Sequence, residues 1–428
     1  TMGRFCLLTT PGCPPLTFIN PGWPALLAPL TLLSDGPGLS QAFSALLLAA
    51  APLALWKWLR SRASETNSLL AAALFASCPL VLAQSGAVMT EVPYVLLLIA
   101  MLHFVDNKRP AAAGLCAAAL LLTRTASLAV IPALFLPFCD KPQRKNLWSA
   151  AKPFLIVCLL WAAWSWKRGR TIGKFDLLPS TYGGGVWWKP FAVAASNARF
   201  YAGEWGGCFL PPSQADGAAA VILGSALMAA AAWGLVGAFR RRGRDPAAWA
   251  LVGTATLLLV WGFQYERYLI TLLPLLLWAL SRGFEFPAGR YGLALLLAMQ
   301  LGFQTLPRLG RPSPWARPEL SRTYAWLAAR PAPNLLGSAE YVRDGWHSGL
   351  PNTPLPSAKS GEDFAMALKI NGIRYVLRVD GQDYGLEHDA SSALRREVEA
   401  DYRRLEDPRL FRKVHEEPEE RAAVYEPL

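Results

Sequence analysis

Apolar runs separated by short basic or polar intervals dominate this chain. Leu46–Leu55, Val95–Val105 and Leu251–Trp261 contain no Lys, Arg, Asp or Glu. Repeated runs of this kind predict a polytopic helical membrane protein. Candidate spans cover roughly 38–59, 67–83, 91–105, 111–123, 126–138, 149–166, 217–239, 247–264, 268–281 and 290–306. Several are shorter than the ~20 residues that cross a bilayer upright. The pair 111–123 and 126–138 therefore reads as a tight hairpin, with its tip at Thr123-Arg124-Thr125 near one surface.

Ahead of these spans, Pro14–Leu33 is apolar but crowded with proline, and each Pro removes a helix donor. Its residues 22–33 are expected to lie along the membrane surface as a juxtamembrane helix. After the last run the pattern changes. Ser360-Gly-Glu-Asp363 resembles a capping box opening a helix, and Gly372 punctuates it before a strand-like Ile373–Val379. A helix over about 390–405 and strands near 411–415 and 422–426 complete a small α/β domain. The expected organisation is an outer loop with juxtamembrane helix at 1–37, a membrane domain at 38–306 and a soluble domain at 307–428.

Charge orients these elements. Of the 42 Lys and Arg residues, 24 fall in 1–306 against 11 acidic residues, whereas 307–428 holds 18 against 19. The basic excess thus belongs to the apolar part, where it sets topology. One set of connections carries 14 basic residues, among them Arg62, Arg109, Lys145, Arg242 and Arg282, and the short connections opposite carry two, Arg124 and Arg267. The positive-inside rule places the first set in the cytoplasm and Glu91, Arg124, Glu266, Arg267 and the C-terminal domain outside. The 167–216 loop, with six basic residues, falls on the outer side and weakens the count without reversing it. Nucleic-acid binding is not expected, because no basic patch is interleaved with aromatics.

The seven cysteines form no CxxC pair and the four histidines are scattered, so no cofactor or metal site is expected. Cys78, Cys116, Cys139 and Cys158 read as small buried hydrophobes, whereas Cys6, Cys13 and Cys208 share the outer side. Of the acidic residues, Glu65, Asp106, Asp140, Asp245 and Glu285 read as solvated cytoplasmic loop charges. Glu91 and Glu266 sit closest to hydrocarbon, where a carboxylate is costly without a partner or a task. Two readings of Glu91 stand open: a first-turn helix charge behind a Thr90 cap, or a functional acid. Arg124 is either a snorkelling tip residue or a cation for phosphate. Glu266-Arg267-Tyr268 is either a local ion pair with an interfacial tyrosine or part of the same site. In the long loop, Tyr182, Gly183-Gly184-Gly185, Trp187 and Trp188 join aromatic faces suited to stacking with glycines that permit a mobile lid, or form an interfacial aromatic belt.

The order PPL…NPGWPALLAP, VMTEVPYVLLL, AALLLTRTASLAVIPAL and YERYLITLLPLLL resembles the GT-C membrane glycosyltransferases, on the branch of protein O-mannosyltransferases and the lipid A aminoarabinose transferase. The resemblance implies an all-α membrane fold, here with about ten helices, and a small α/β extracytoplasmic domain. It also implies transfer of a sugar from a polyprenyl-phosphate carrier to a lipid, glycan or protein acceptor at the outer face of the bilayer, in bacteria the inner membrane. On that resemblance Glu91 stands at the family's second acidic position. Arg124 matches the basic residue of a hairpin motif and Arg267 the arginine of a late RY motif, so the resemblance implies that both bind the carrier phosphate. It likewise implies that Glu91 is the catalytic carboxylate, orienting or assisting the base, and that Tyr182, Trp187 and Trp188 contact the sugar or prenyl chain. Such relatives carry their principal catalytic acid in a loop after one further N-terminal span, and in this chain nothing acidic precedes Asp35. The expectation is that this span and loop lie upstream of Thr1; the rival is a non-catalytic envelope-assembly subunit. A secondary transporter, the other rival, calls for internal repeats and mid-span polar residues, and neither is evident.

Overall fold

The computed structural model describes residues 20–33, 38–86, 88–139, 144–167, 189–241, 243–262, 264–286, 288–309, 318–330, 334–356, 358, 360–380 and 398–428. The chain divides into two compact units, one spanning Thr17–Arg311 and the other including Pro312–Leu428.

The first unit is helical. It begins with α1 (Gly22–Thr31), anchored by buried Trp23. Then come α2 (Gly38–Leu59) and α3 (Glu65–Ser77), which ends where Pro79 forces Cys78 into an extended conformation. The chain resumes in α4 (Pro79–Leu82), bent by 50° from α3. Next are α5 (Glu91–Asp106), α6 (Pro110–Thr123), α7 (Ile131–Phe135) and α8 (Arg144–Lys167). The hairpin after α6 is present, with Arg124 extended at its tip. Its second arm is a 3-10 turn over Thr125–Val130, then α7, rather than one continuous helix.

The 167–216 region contains an element the apolar pattern does not reveal, α9 (Lys189–Gly207). Asn197, Arg199 and Glu204 interrupt its apolar character, so it reads as loop by hydropathy alone. It packs on α10 (Ala218–Arg241) through glycines: a Cβ on Gly206 would lie 1.9 Å from the Ala220 carbonyl oxygen, and one on Gly224 1.7 Å from that of Ala202. Close backbone approach through small residues is how helices pack in lipid. The unit continues with α11 (Pro246–Val260), α12 (Glu266–Gly283) and α13 (Gly289–Met299), the last running into a π-helical turn at Gln300–Thr305. Every residue of α12 from Tyr268 to Ser281 is buried, which makes it the central helix of the unit. By length and composition three described helices reach across a bilayer, Gly38–Leu59, Lys145–Ala163 and Ala218–Arg241, with a fourth if the bent α3–α4 pair is one span. The described residues thus do not reach the expected ten spans by this measure: Pro110–Thr123, Thr125–Phe138 and Pro246–Val260 are shorter apolar helices, while α12 is continuous over 18 residues.

One end of this unit is tied by charge. Arg62 Nε donates to Asp106 Oδ2 at 2.7 Å, and its Nη1 donates to both Asp245 oxygens at 2.9 and 3.1 Å. Trp58 Nε1 also donates to Asp106, and Arg282 Nη1 to the Arg62 carbonyl. Asp245 additionally caps α11 by accepting from the Ala247 and Ala248 amides. Asp106 and Asp245 are thus partners of a buried arginine, not the solvated loop charges read from their basic neighbourhood. A charge adjoining hydrocarbon is held by pairing.

The second unit is a five-stranded mixed sheet with helices. Its elements are α14 (Ser321–Ala328), β1 (Leu335–Gly337), α15 (Tyr341–Ser348), β2 (Asn352–Thr353), α16 (Gly361–Ile370), β3 (Ile373–Val379), α17 (398–404), β4 (Phe411–Glu417) and β5 (Ala422–Pro427). The strand order is β2-β1-β3-β5-β4, parallel on the β1 side of β3 and antiparallel beyond it. Ser360 caps α16 by accepting from the Asp363 amide at 3.0 Å, and Gly372, at φ 69°, turns the chain into β3. Ile373 and Val376 join a core with Phe364 and Leu368, while Tyr375, Leu377 and Val379 join another with Leu320 and Leu327, so both faces of β3 are covered.

Candidate functional site

The site is built from three helix ends. Glu91 opens α5, two residues before Pro93, whose missing N–H costs nothing in a first turn. Thr90 does not cap this helix: its backbone is already helical and its side chain makes no capping hydrogen bond. Instead Thr90 Oγ1 donates to Glu91 Oε2 and accepts from Arg124 Nη1, each at 3.3 Å. The first-turn charge reading of Glu91 therefore lacks its cap.

Glu91 is 2% exposed, deeper than a dipole-stabilising surface acid. Arg124, extended at the end of α6, places Nη1 2.5 Å from Glu91 Oε1. Arg267, second residue of α12, brings Nε to 3.7 Å of the same oxygen. Two guanidiniums thus converge on one carboxylate, a pairing that offsets the cost of burying it. Tyr268 stacks between them, its ring centre 5.3 Å from the Arg124 guanidinium carbon and 5.8 Å from that of Arg267; Tyr265 lies 5.0 Å from the latter. Aromatic faces hold such cations without consuming their N–H donors. Arg267 remains the most open of the trio, its side chain 32% exposed, while its Nε is itself buried against Glu91.

Glu266, at the first position of α12, is exposed. Tyr182, Trp187 and Trp188 lie outside the described residues. Two contributors went unread in the sequence, both on α9. Asn197 Nδ2 donates to the carbonyls of Leu258, Leu259 and Trp261, and its Oδ1 accepts from Gln264, which braces the connection leading into Glu266-Arg267. Tyr201 is 2% exposed, lies in electrostatic reach of Arg124 and Tyr268, and faces the Tyr265 backbone. Neither carries a motif; only the hidden helix brings them here. Among the described residues no group of three His, Cys, Asp or Glu is arranged to hold a metal.

The arrangement offers one carboxylate, two cations and a buried phenol at a junction of helix ends. Chemically that is a place for an anion next to an apolar surface.

Neither a protein-family model nor a curated protein matches the chain. Solved structures similar to it include the arabinofuranosyltransferase AftD from Mycobacteria, with 17% identity, a TM-score of 0.38, and coverage of 91% of this chain and 34% of that one. A second AftD structure, mutant R1389S, gives 16% identity and a TM-score of 0.39 over 81% of this chain and 30% of that one. ArnT from Cupriavidus metallidurans bound to undecaprenyl phosphate gives 12% identity and a TM-score of 0.35 over 90% and 83%. This chain spans about a third of the length of the AftD chains. These neighbours belong to the GT-C class whose motif order the sequence resembles, but at such low TM-scores the functional reading rests on the residues themselves.

Proposed function

We propose that this chain is a membrane glycosyltransferase that moves a sugar from a polyprenyl-phosphate donor to an acceptor hydroxyl at the outer face of the membrane. The observation that supports the reading best is the convergence of Arg124 and Arg267 on Glu91, with the Arg267 side chain still 32% exposed. In transfer, the acceptor oxygen bonds to the anomeric carbon and the bond from that carbon to the phosphate oxygen breaks. The electron pair stays on the departing lipid phosphate. Guanidiniums in a site poor in water are suited to that developing charge.

Glu91 has a narrower part in this reading than that of a free base. A carboxylate clasped by two guanidiniums is a weak proton acceptor, so Glu91 positions the arginines and sets their spacing for a phosphate. The acceptor proton goes to another carboxylate, in keeping with the motif order, which implies a principal acid elsewhere. The sidedness is supported by clustering: Arg62, Asp106, Asp245 and Arg282 meet in one group, and Glu91, Arg124 and Arg267 in another, as the two sets of connections require.

The test is transfer by membranes holding the full-length protein, supplied with a panel of labelled polyprenyl-phosphate sugars. Transfer from at least one donor, lost in Arg267→Ala, is expected. Absence of transfer from the whole panel, with the protein folded and inserted, points to a non-catalytic chain.

A further inference from the structure

Cys78 and Cys208 are 130 residues apart in sequence, yet their sulfurs lie 3.9 Å apart, both fully buried. Neither belongs to the proposed sugar-transfer site. Cys78 occupies the break between α3 and α4, and Cys208 follows the last residue of α9. Both therefore sit at helix ends, where side-chain rotation and a small backbone adjustment can close the gap to the ~2.05 Å of a sulfur–sulfur bond.

The same junction is fixed by a second, independent set of contacts. Gln300 Nε2 donates to the Leu74 carbonyl and to Ser77 Oγ, both at 2.7 Å, and Thr305 Oγ1 to the Ser77 carbonyl at 2.7 Å. One turn on, Gln304 Nε2 donates to the carbonyls of Gly207 and Leu210. The π-helical turn at Gln300–Thr305 thus grips the end of α3 and the end of α9 at once, and holds the two thiols in register. By the charge pattern Cys208 falls on the outer side of the membrane, where disulfides persist, and Cys78 lies in the outer half of the 67–83 span.

We infer that Cys78 and Cys208 form a disulfide that locks the broken α3–α4 span to α9. Each thiol loses its proton. One thiolate attacks the disulfide of an extracytoplasmic thiol oxidase, and the second displaces the oxidase from the mixed disulfide. A Cys78–Cys208 bond forms, and the oxidase leaves as a dithiol carrying the two electrons. Because both sulfurs end buried, the exchange takes place while the helices assemble. The bond depends on the outward placement of both positions and not on sugar transfer, so the donor panel and the thiol test fail separately.

The experiment uses cells making the full chain, quenched in acid and alkylated with N-ethylmaleimide under denaturing conditions without reductant, followed by peptide mapping. The expected result is a crosslinked peptide pair, Cys78 with Cys208, with neither cysteine labelled until reductant is added. Cys116 and Cys158 should label in both conditions. In Cys78→Ser, Cys208 should label without reductant. Labelling of both cysteines in most wild-type molecules without reductant overturns the bond, and protection of Cys208 in Cys78→Ser overturns the pairing.

Discussion

Glu91 shows how one residue ties the end of an apolar run to a charged site. Removing its charge leaves two arginines facing each other without their shared partner. Glu91→Gln is therefore expected to cut sugar transfer by about two orders of magnitude, the scale of a lost electrostatic contribution. It should also lower stability by about 1–3 kcal/mol, as for a buried charged group deprived of its partner. Transfer assayed beside thermal melts separates the two effects; wild-type transfer in this variant removes Glu91 from the site. Much of this trio was legible in the sequence, since a charge at the edge of an apolar run stands out against hydrocarbon. What the sequence hid was the pairing. Arg124 and Glu91 are 33 positions apart, and the Thr90 side chain looked like a cap when it serves the ion pair instead. Tyr201 and Asn197 were not legible, because a lone polar residue in a region of mixed hydropathy carries no signal of its neighbours.

At the scale of elements, periodicity located the long helices and failed for α9, whose small and polar residues suit packing against protein more than against lipid. Its contact with α10 depends on two glycines. Gly224→Ala would put a Cβ 1.7 Å from a backbone carbonyl, which cannot swing aside as a side chain would. The helices must then part, at an expected cost of about 1–3 kcal/mol, the usual penalty for overpacking. Gly237→Ala, with nothing within 4 Å, is the matched control and should be neutral or slightly stabilising. Unfolding in detergent compares them, and equal stability would mean that α9 does not pack on α10 in this way. Charges at the opposite end were misread for a similar reason. Asp106 and Asp245 sit among basic residues in sequence, but a loop's composition does not say which single arginine it buries.

For the whole molecule, the basic connections predict sidedness. Reporter fusions after Arg62, Arg109, Lys145 and Arg242 should report cytoplasm, and fusions after Ser213 or beyond Pro312 the outer compartment. A cytoplasmic C-terminal unit would reverse the assignment of every outer residue. The pH response of that unit follows from its carboxylates. Arg412, and with it Arg374, hold the Glu426 carboxyl below its ordinary 4.5 against the opposing effect of burial. A depressed folded value means that the stabilisation is complete above 4.5 and is lost as pH falls through the lower, folded value. Protection in β4 and β5, corrected for the pH dependence of intrinsic amide exchange, should therefore fall only as pH drops below 4.5, and protection unchanged well into acid would contradict the pairing.

The central claim, that Arg124 and Arg267 receive a lipid phosphate, is tested most directly by binding. The purified full chain is titrated with a polyprenyl phosphate and with the matching polyprenol, and the titrations are repeated for Arg124→Ala and Arg267→Ala, each checked for folding by its melt. Charge-assisted hydrogen bonds of this kind are worth about 1.5–3 kcal/mol, so each variant should lose roughly tenfold or more in affinity for the phosphate. All three proteins should bind the polyprenol equally weakly. Equal affinity of the wild type for polyprenol and polyprenyl phosphate, or undiminished phosphate binding in both variants, would contradict the account.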